Sequence, residues 1–271
     1  MPEQILFTNV RILDGSGAMP VSGEVLVDGN RIKDVHKSPA NLPPRTPNDY
    51  GQNYSNGTVT KFSTPLSSAR NLGSRPMSSA AEMGMTVIDG MGATLMPGLC
   101  DAHLHLSWNN APGIDPIQMM PPEEHTLWTA QMAKLVLDSG FTSGFGAAAA
   151  KPRMDVVIRN AINSGMIPGP RYRAAGPEIT TVGGLGDSAP SHIPHEGLNL
   201  GIVVSGPEEV RRVVRTLIKY GVDSIKLNLS GEEITKMPAE TTPMSEEEII
   251  MAVREAKCRN RVLSAHARSA G

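Results

Sequence analysis

Two of the chain's seven histidines stand one residue apart in DAHLHL, residues 101–106. Side chains alternate along an extended segment, so Asp101, His103 and His105 share one face while Ala102, Leu104 and Leu106 share the other. A lone histidine on such a segment is most simply solvated or hydrogen-bonded within the core. A His-x-His pair at the end of a strand points instead to a metal, because neutral imidazole is the commonest metal ligand near neutral pH. Lys226, in DSIKLNLSG, shares a face with Asn228 and Ser230, opposite Ile225, Leu227 and Leu229. Two readings of this lysine stay open. It can pair with an acid or snorkel to water; or its amine, neutralised by burial, can add carbon dioxide to become a carbamate, an anionic oxygen ligand able to bridge two metals. His266, in VLSAHARS, falls on one face with Ser264 and Arg268 and adds a third histidine at a strand end.

The elements that must position these residues can be read from periodicity. Residues 5–35 alternate as short strands, with Asp28-Gly29-Asn30 marking a hairpin turn between apolar runs, and residues 85–90 read as a further strand of the same small sheet. Residues 1–36 and 85–93 therefore form a small β region. Between them, residues 37–84 carry eight serines and six prolines with almost no apolar period. Such a segment buries too little to offset its ordering entropy, and it is expected to be a disordered insertion whose flanks join as neighbouring strands.

From Thr94 onward, extended runs at 94–106, 141–147, 171–176, 224–230 and 262–268 alternate with helical patterns at 123–139, 155–164, 207–220 and 245–259. PEEVRRVVRTLIKYG has Pro207 and acids in its first turn, an apolar stripe from Val210 to Leu217 and Gly221 at its end. Ser245 and Glu248 form the pattern of a capping box. Repeated βα units predict an α/β class with a parallel sheet and helical crossovers over 94–271. The metal candidates then sit at the C-terminal ends of its strands, where barrels of this kind carry their sites.

Other residues carry weaker signals. Trp108, His192 and His195 fall on loops after the first and third strands, where substrate contact competes with a plain surface position. His125 opens a helix and is expected to be solvated. Cys100 and Cys258 read as small core or helix residues and give no disulfide framework. Gly183-Gly184-Leu185-Gly186 lacks the spacing of a phosphate loop. With 25 basic and 27 acidic residues, no broad field favours nucleic acid or an acidic membrane. No run of about 18 apolar residues and no signal-peptide pattern occur, so a cytoplasmic setting is expected.

The stretches NVRILDG, VLVDGNRIKDV, VIDGMGATLMPGLCDAHLHL and SGMIPGPRYRAAGPEITTVGGLGD resemble the amidohydrolase superfamily, in particular its imidazolonepropionase-like and Xaa-Pro-dipeptidase-like members. The resemblance implies a (β/α)8 TIM-type barrel beside a small β-sandwich. It also implies divalent metals, usually two zinc ions, that activate water against a C–N bond of an amide, dipeptide or cyclic amide. His103 and His105 resemble that family's first-strand ligands, Lys226 its carboxylated bridging lysine, and His266 its fifth-strand ligand. The family's general-base aspartate follows an eighth strand. The five strands and four helices counted up to Gly271 do not reach it, so a partial barrel without turnover, poorly soluble or self-associating, is expected. A small-molecule substrate, with room for a homo-oligomer, follows from the same likeness. The alternatives are a catalytically inactive paralogue, or a decarboxylase or deaminase on the same scaffold.

Overall fold

The computed structural model describes residues 4–38, 59–60, 85–193, 196–232 and 237–269. They form two compact units, Met1–Pro97 and Gly98–Gly271. The boundary falls a few residues beyond the expected one, because Thr94 and Leu95 pair in the N-terminal sheet.

That sheet contains β1 (Gln4–Ile12), β2 (Val21–Asp28), β3 (Arg31–Lys37), β4 (Val59–Thr60), β5 (Thr86–Asp89) and β6 (Thr94–Leu95). Its order is β3-β2-β1-β5-β4, with β6 pairing with β1 beside β5. β1, β2 and β3 are antiparallel neighbours, whereas β5 and β6 run parallel to β1. A register shift between Phe7 and Val10, with Asn9 at φ 52°, brings Val10 and Ile12 together with Phe7. One cluster then joins Val10, Ile12 and Val25, and another joins Leu26, Met85 and Val87 with Leu6.

Among the described residues the N-terminal unit is one sheet. One expectation is corrected here: the flanks of the 37–84 segment are not neighbours, because β2 and β1 lie between β3 and β5, roughly 14 Å across three strand spacings. A short loop would not replace that segment. Val59 and Thr60 inside it pair antiparallel with β5; the rest of the expected insertion lies outside the described residues, apart from Lys37 and Ser38.

The second unit follows the predicted alternation. β7 (Leu99–Leu104) leads through a 3-10 turn (Leu106–Trp108) and a short helix α1 (Ile114–Met119) to α2 (Pro122–Asp138). Then come β8 (Phe141–Gly146), α3 (Met154–Asn163), β9 (Arg171–Arg173), β10 (Ile179–Thr181) and β11 (Ile202–Val204). α4 (Pro207–Tyr220), β12 (Ser224–Asn228), α5 (Glu246–Lys257) and β13 (Val262–His266) complete it. Every strand pairing in this unit is parallel. The orders β7-β8-β9 and β11-β10-β12-β13 are linked by a bridge between Ala175 and Ser224. The array thus runs from β7 to β13, with β11 on the far side of β10 from β12, and among the described residues β7 and β13 do not pair with each other.

Helix α4 buries Val210, Val213, Val214 and Leu217 against Ile225 and Leu227 of β12, and it ends at Gly221, whose φ of 94° suits a residue without Cβ. The capping box of α5 is formed: Ser245 Oγ accepts from Glu248 N at 3.3 Å, and Ser245 N donates to Glu248 Oε2 at 2.8 Å. Glu248 Oε1 also accepts from Gly206 N at 2.7 Å, tying the starts of α4 and α5 together.

Arg159 of α3 joins two units of the array. Its Nη1 donates to Asp223 Oδ2 at 2.6 Å and to Gly221 O at 3.0 Å, while the same carboxylate oxygen accepts from Ala174 N at 2.8 Å. The two side chains are only 16% and 31% exposed. An Arg159→Ala substitution is therefore expected to cost about 1–3 kcal/mol, between the values for surface and fully buried pairs. Urea unfolding of the variant checks this; a loss below a few tenths of a kcal/mol would show the pair to be a surface ornament.

Candidate functional site

The side chains singled out by spacing stand at the C-terminal ends of β7, β12 and β13. Leu104 and Leu106 enter the core on one side of the segment, which turns His103 and His105 to the other. The two rings lie 5.1 Å apart, centroid to centroid, edge to face at 61°. His105 Nδ1 is 3.1 Å from Ala148 O. A carbonyl only accepts, so in this hydrogen bond Nδ1 carries the proton and Nε2 keeps its lone pair. Burial draws the imidazole's pKa down to about 4, with the nearby His103 and Lys226 acting in the same direction. His103 is also held below the usual histidine range, first by desolvation and then by Lys226 and His266, against Asp101. Both shifts favour the neutral imidazole.

Lys226 is 3% exposed, and burial lowers its pKa against the pull of Glu178. Glu178, at the entry to β10, is 6% exposed. Burial raises its pKa, opposed by a hydrogen bond with Asn228 and by Lys226. Asn228 Nδ2 donates to Leu185 O at 2.7 Å, anchoring the glycine loop against β12. Gly186 has φ 97°, and a Cβ there would stand 2.7 Å from Glu178 Oε1, so this loop closes over the carboxyl only with glycine in place. His266 Nε2 lies 3.3 Å from Gly231 O and 3.5 Å from Glu232 Oε2, and Glu232 also receives Arg268 Nη1 at 2.7 Å.

The structure therefore brings His103 within electrostatic reach of Lys226 and His266, and His105 within reach of His103 and Lys226. Trp108 joins them: its indole stacks on the His105 ring at 3.9 Å and 21°. His192 does not. It is exposed in the loop after β10 and is not among the groups whose charge acts on His103 or His105. His195 lies outside the described residues. Among the described residues, no three His, Cys, Asp or Glu side chains gather as a metal cage.

Two expectations are overturned nearby. His125 is wholly buried, its Nε2 donating to Ser107 O at 2.5 Å, because α2 packs its first turn against the 3-10 turn. Cys100 is exposed on β7 rather than in the core, whereas Cys258 caps the end of α5. Residues 114–119 form a short helix ahead of the expected one, separated from it by Met120 and Pro121. Glu178 and Asp155 were missed altogether. Glu178 follows a Gly-Pro pair and reads as a turn acid, while Asp155 reads as an ordinary acid in a helix's first turn.

A protein-family model described as the amidohydrolase family matches residues 94–271. An ochratoxinase from Aspergillus niger is 29% identical over 194 residues, covering 64% of this chain and 38% of that protein. A crystal structure of a prolidase complexed with N-methylphosphonate-L-proline superposes with a TM-score of 0.72 at 26% identity, over 97% of this chain and 56% of that one. A crystal structure of an amidohydrolase gives 0.71 at 26% identity, over 97% and 56%. The chain spans about half the length of these solved structures, at 56% of each.

Proposed function

Because this chain belongs to the amidohydrolase family, we propose that its strand-end cluster is the metal-holding part of a hydrolase site that breaks a C–N bond of a small amide, dipeptide or cyclic amide. The observation that supports the reading is that His103 lies within electrostatic reach of Lys226 and His266, and His105 within reach of His103 and Lys226, on the parallel strands β7, β12 and β13. The parallel units are read as the first five of a (β/α)8 barrel. The likeness to a prolidase and an ochratoxinase supports an amide-type substrate. A cytoplasmic setting and a small-molecule partner complete the reading; the near balance of 25 basic and 27 acidic residues supports no nucleic-acid or membrane partner.

The residues fit a divalent metal by the chemistry of their donors. His105 offers Nε2, since its Nδ1 faces Ala148 O; His266 offers Nδ1, since its Nε2 faces Gly231 O; and burial favours the neutral form of His103. The remaining donor would come from Lys226. Burial lowers the pKa of its amine, and the lone pair of the deprotonated nitrogen can form an N–C bond to carbon dioxide as one N–H proton leaves to solvent. The product is a carbamate, with one negative charge shared by two oxygens. Zinc, or another divalent ion, would supply Lewis-acid polarisation of the scissile carbonyl and a lowered pKa for water. Around it, Trp108 would give the substrate an apolar wall, a role that His192 shares only if its loop turns inward.

Lys226→Ala tests the carbamate. The variant is expected to fall from two divalent ions per chain to one or fewer by elemental analysis, with partial recovery in millimolar short-chain carboxylic acids. Two ions retained without any added acid would rule out Lys226 as a ligand.

A further inference from the structure

Behind the histidines, in the apolar interior of the second unit, lies a carboxyl that the proposed chemistry does not use. Asp155 of α3 is 0% exposed. Its Oδ2 accepts from Tyr172 OH at 2.5 Å, its Oδ1 accepts from Ser107 Oγ at 3.3 Å, and Ala175 N–H also points to it. Its hydrogen-bonding partners are hydroxyls and a backbone amide rather than a cation. Leu106, Val156 and Ala133 are buried in the core cluster of this region. Burying a carboxyl in such surroundings is costly, so its partners say what it achieves.

The partner that matters is Ser107, also 0% exposed. Its Oγ accepts from Ala150 N at 2.8 Å while donating to Asp155, and its carbonyl accepts from His125 Nε2. Ala150 ends a run of four alanines, Ala147 to Ala150, each 8% exposed or less. Three amides of the run are tied in turn: Ala147 N to Leu104 O at 2.9 Å, Ala149 N to Gly176 O at 2.9 Å, and Ala150 N to Ser107 Oγ. The carbonyl of Ala148, between the tied residues, receives His105 Nδ1. Ser107 also immediately precedes Trp108, whose indole covers the His105 ring.

We propose that Asp155, acting through Ser107, is a positioning residue: it orients the Ser107 hydroxyl toward Ala150, fixes the Ala148 carbonyl at the edge of His105 and the Trp108 indole on its face, and so keeps the ring's lone pair on Nε2. The Ala150 N–H can only donate, so Ser107 Oγ accepts from it and its one proton is left for Asp155 Oδ1. An amide in that place, which can turn either its oxygen or its N–H to the hydroxyl, leaves that orientation open. The role rests on the reading of His105 as a metal ligand, but the device itself is visible in the protein without metal.

The test reads the tautomer of His105 directly. The full chain, labelled with 15N-histidine and dialysed against a chelator, is recorded by long-range 1H–15N correlation at pH 7, with His105 assigned from a His105→Gln sample. The unsubstituted protein is expected to carry the proton on Nδ1. Ser107→Ala is expected to lower the ratio of Nδ1–H to Nε2–H by about tenfold, the ratio sustained by one hydrogen bond of ordinary strength. Asp155→Asn should move it in the same direction, and Ser107→Thr, which restores the hydroxyl, should keep the original ratio. General loosening would lower the melting temperature without moving the tautomer. An unchanged ratio in folded Ser107→Ala overturns the positioning role alone. Should that variant fail to fold, the volume-matched Asp155→Asn decides the matter in the same way. A proton found on Nε2 in the unsubstituted protein overturns both this role and the Nε2-donor reading beneath it.

Discussion

Replacing His103 and His105 together by alanine is expected to strip the protein of stoichiometric zinc. The two rings lie 5.1 Å apart between centroids, and burial shifts both toward the neutral form. Desolvation is the first cause at both: it outweighs the Ala148 hydrogen bond at His105, which fixes the tautomer, and the pull of Asp101 at His103. Altering an outer partner of a ligand already costs about 10–100-fold in metal affinity, so removing two ligands should exceed that range. His192→Ala provides the control, since His192 is exposed and is not among the charges acting on either ring. Elemental analysis after dialysis is the measurement. Zinc retained at the same ratio by the double variant would dispose of this site, whatever the family likeness suggests.

The second large effect is one of stability against pH. Burial pushes Asp155 up to about 7, against the hydrogen bonds from Tyr172, Ser107 and Ala175. The unfolded chain releases that proton near pH 4, but the folded chain keeps it until about pH 7. Between these values the folded state holds more protons than the unfolded one, so stability falls as pH rises through the window. Below it the protonated carboxyl is accommodated in full; above it the loss is complete and level. Three pKa units correspond to roughly 4 kcal/mol, an upper figure for so deeply buried a group. Other carboxyls move the opposite way: Glu255, held low by hydrogen bonds from Arg215, gains stability as pH rises. The informative quantity is therefore the difference between the unsubstituted protein and Asp155→Asn, followed by urea unfolding from pH 4 to 8. The variant should lack the downward slope. Parallel curves for the two proteins would mean that Asp155 is ionised in the fold throughout.

The pair on β7 and the lysine on β12 were legible because a strand has a period of two. Leu104 and Leu106 had to enter the core, and His103 and His105 then had no other side to occupy. The same reasoning found Lys226 between Ile225 and Leu227. It failed where a residue's role is set by what packs over it. Asp155 occupies the first turn of a helix, where an acid ordinarily faces solvent and complements the dipole, and only the docking of Tyr172 and Ser107 buries it. The alanine run has no period and no polar atom in its side chains; its work is done by backbone groups, which every sequence shares. β10 and β11, at three residues each, are too short to show alternation. The N-terminal meander was legible from its turn chemistry, but the position of β5 was not. Apolar alternation says that a segment belongs in a sheet and leaves open which neighbour it takes.

That position of β5 has a kinetic consequence. The pairing of β1 with β2 and of β2 with β3 links residues close in sequence, so this meander can form as soon as its own turns close. The pairing of Ile5 with Thr86 must instead wait for a loop of about eighty residues to close. Closure entropy grows only slowly with length, yet it must be overcome before any contact of β5 rewards it. Until then Leu6 and Leu26 lack Met85 and Val87, and β1 presents an unpaired edge between them and solvent. Such an edge is a template for another chain's strand. The N-terminal unit is therefore expected to be most prone to misassociation early in refolding, and a Val87→Lys substitution should lengthen that vulnerable interval by slowing the last strand's arrival rather than the first three strands' meeting.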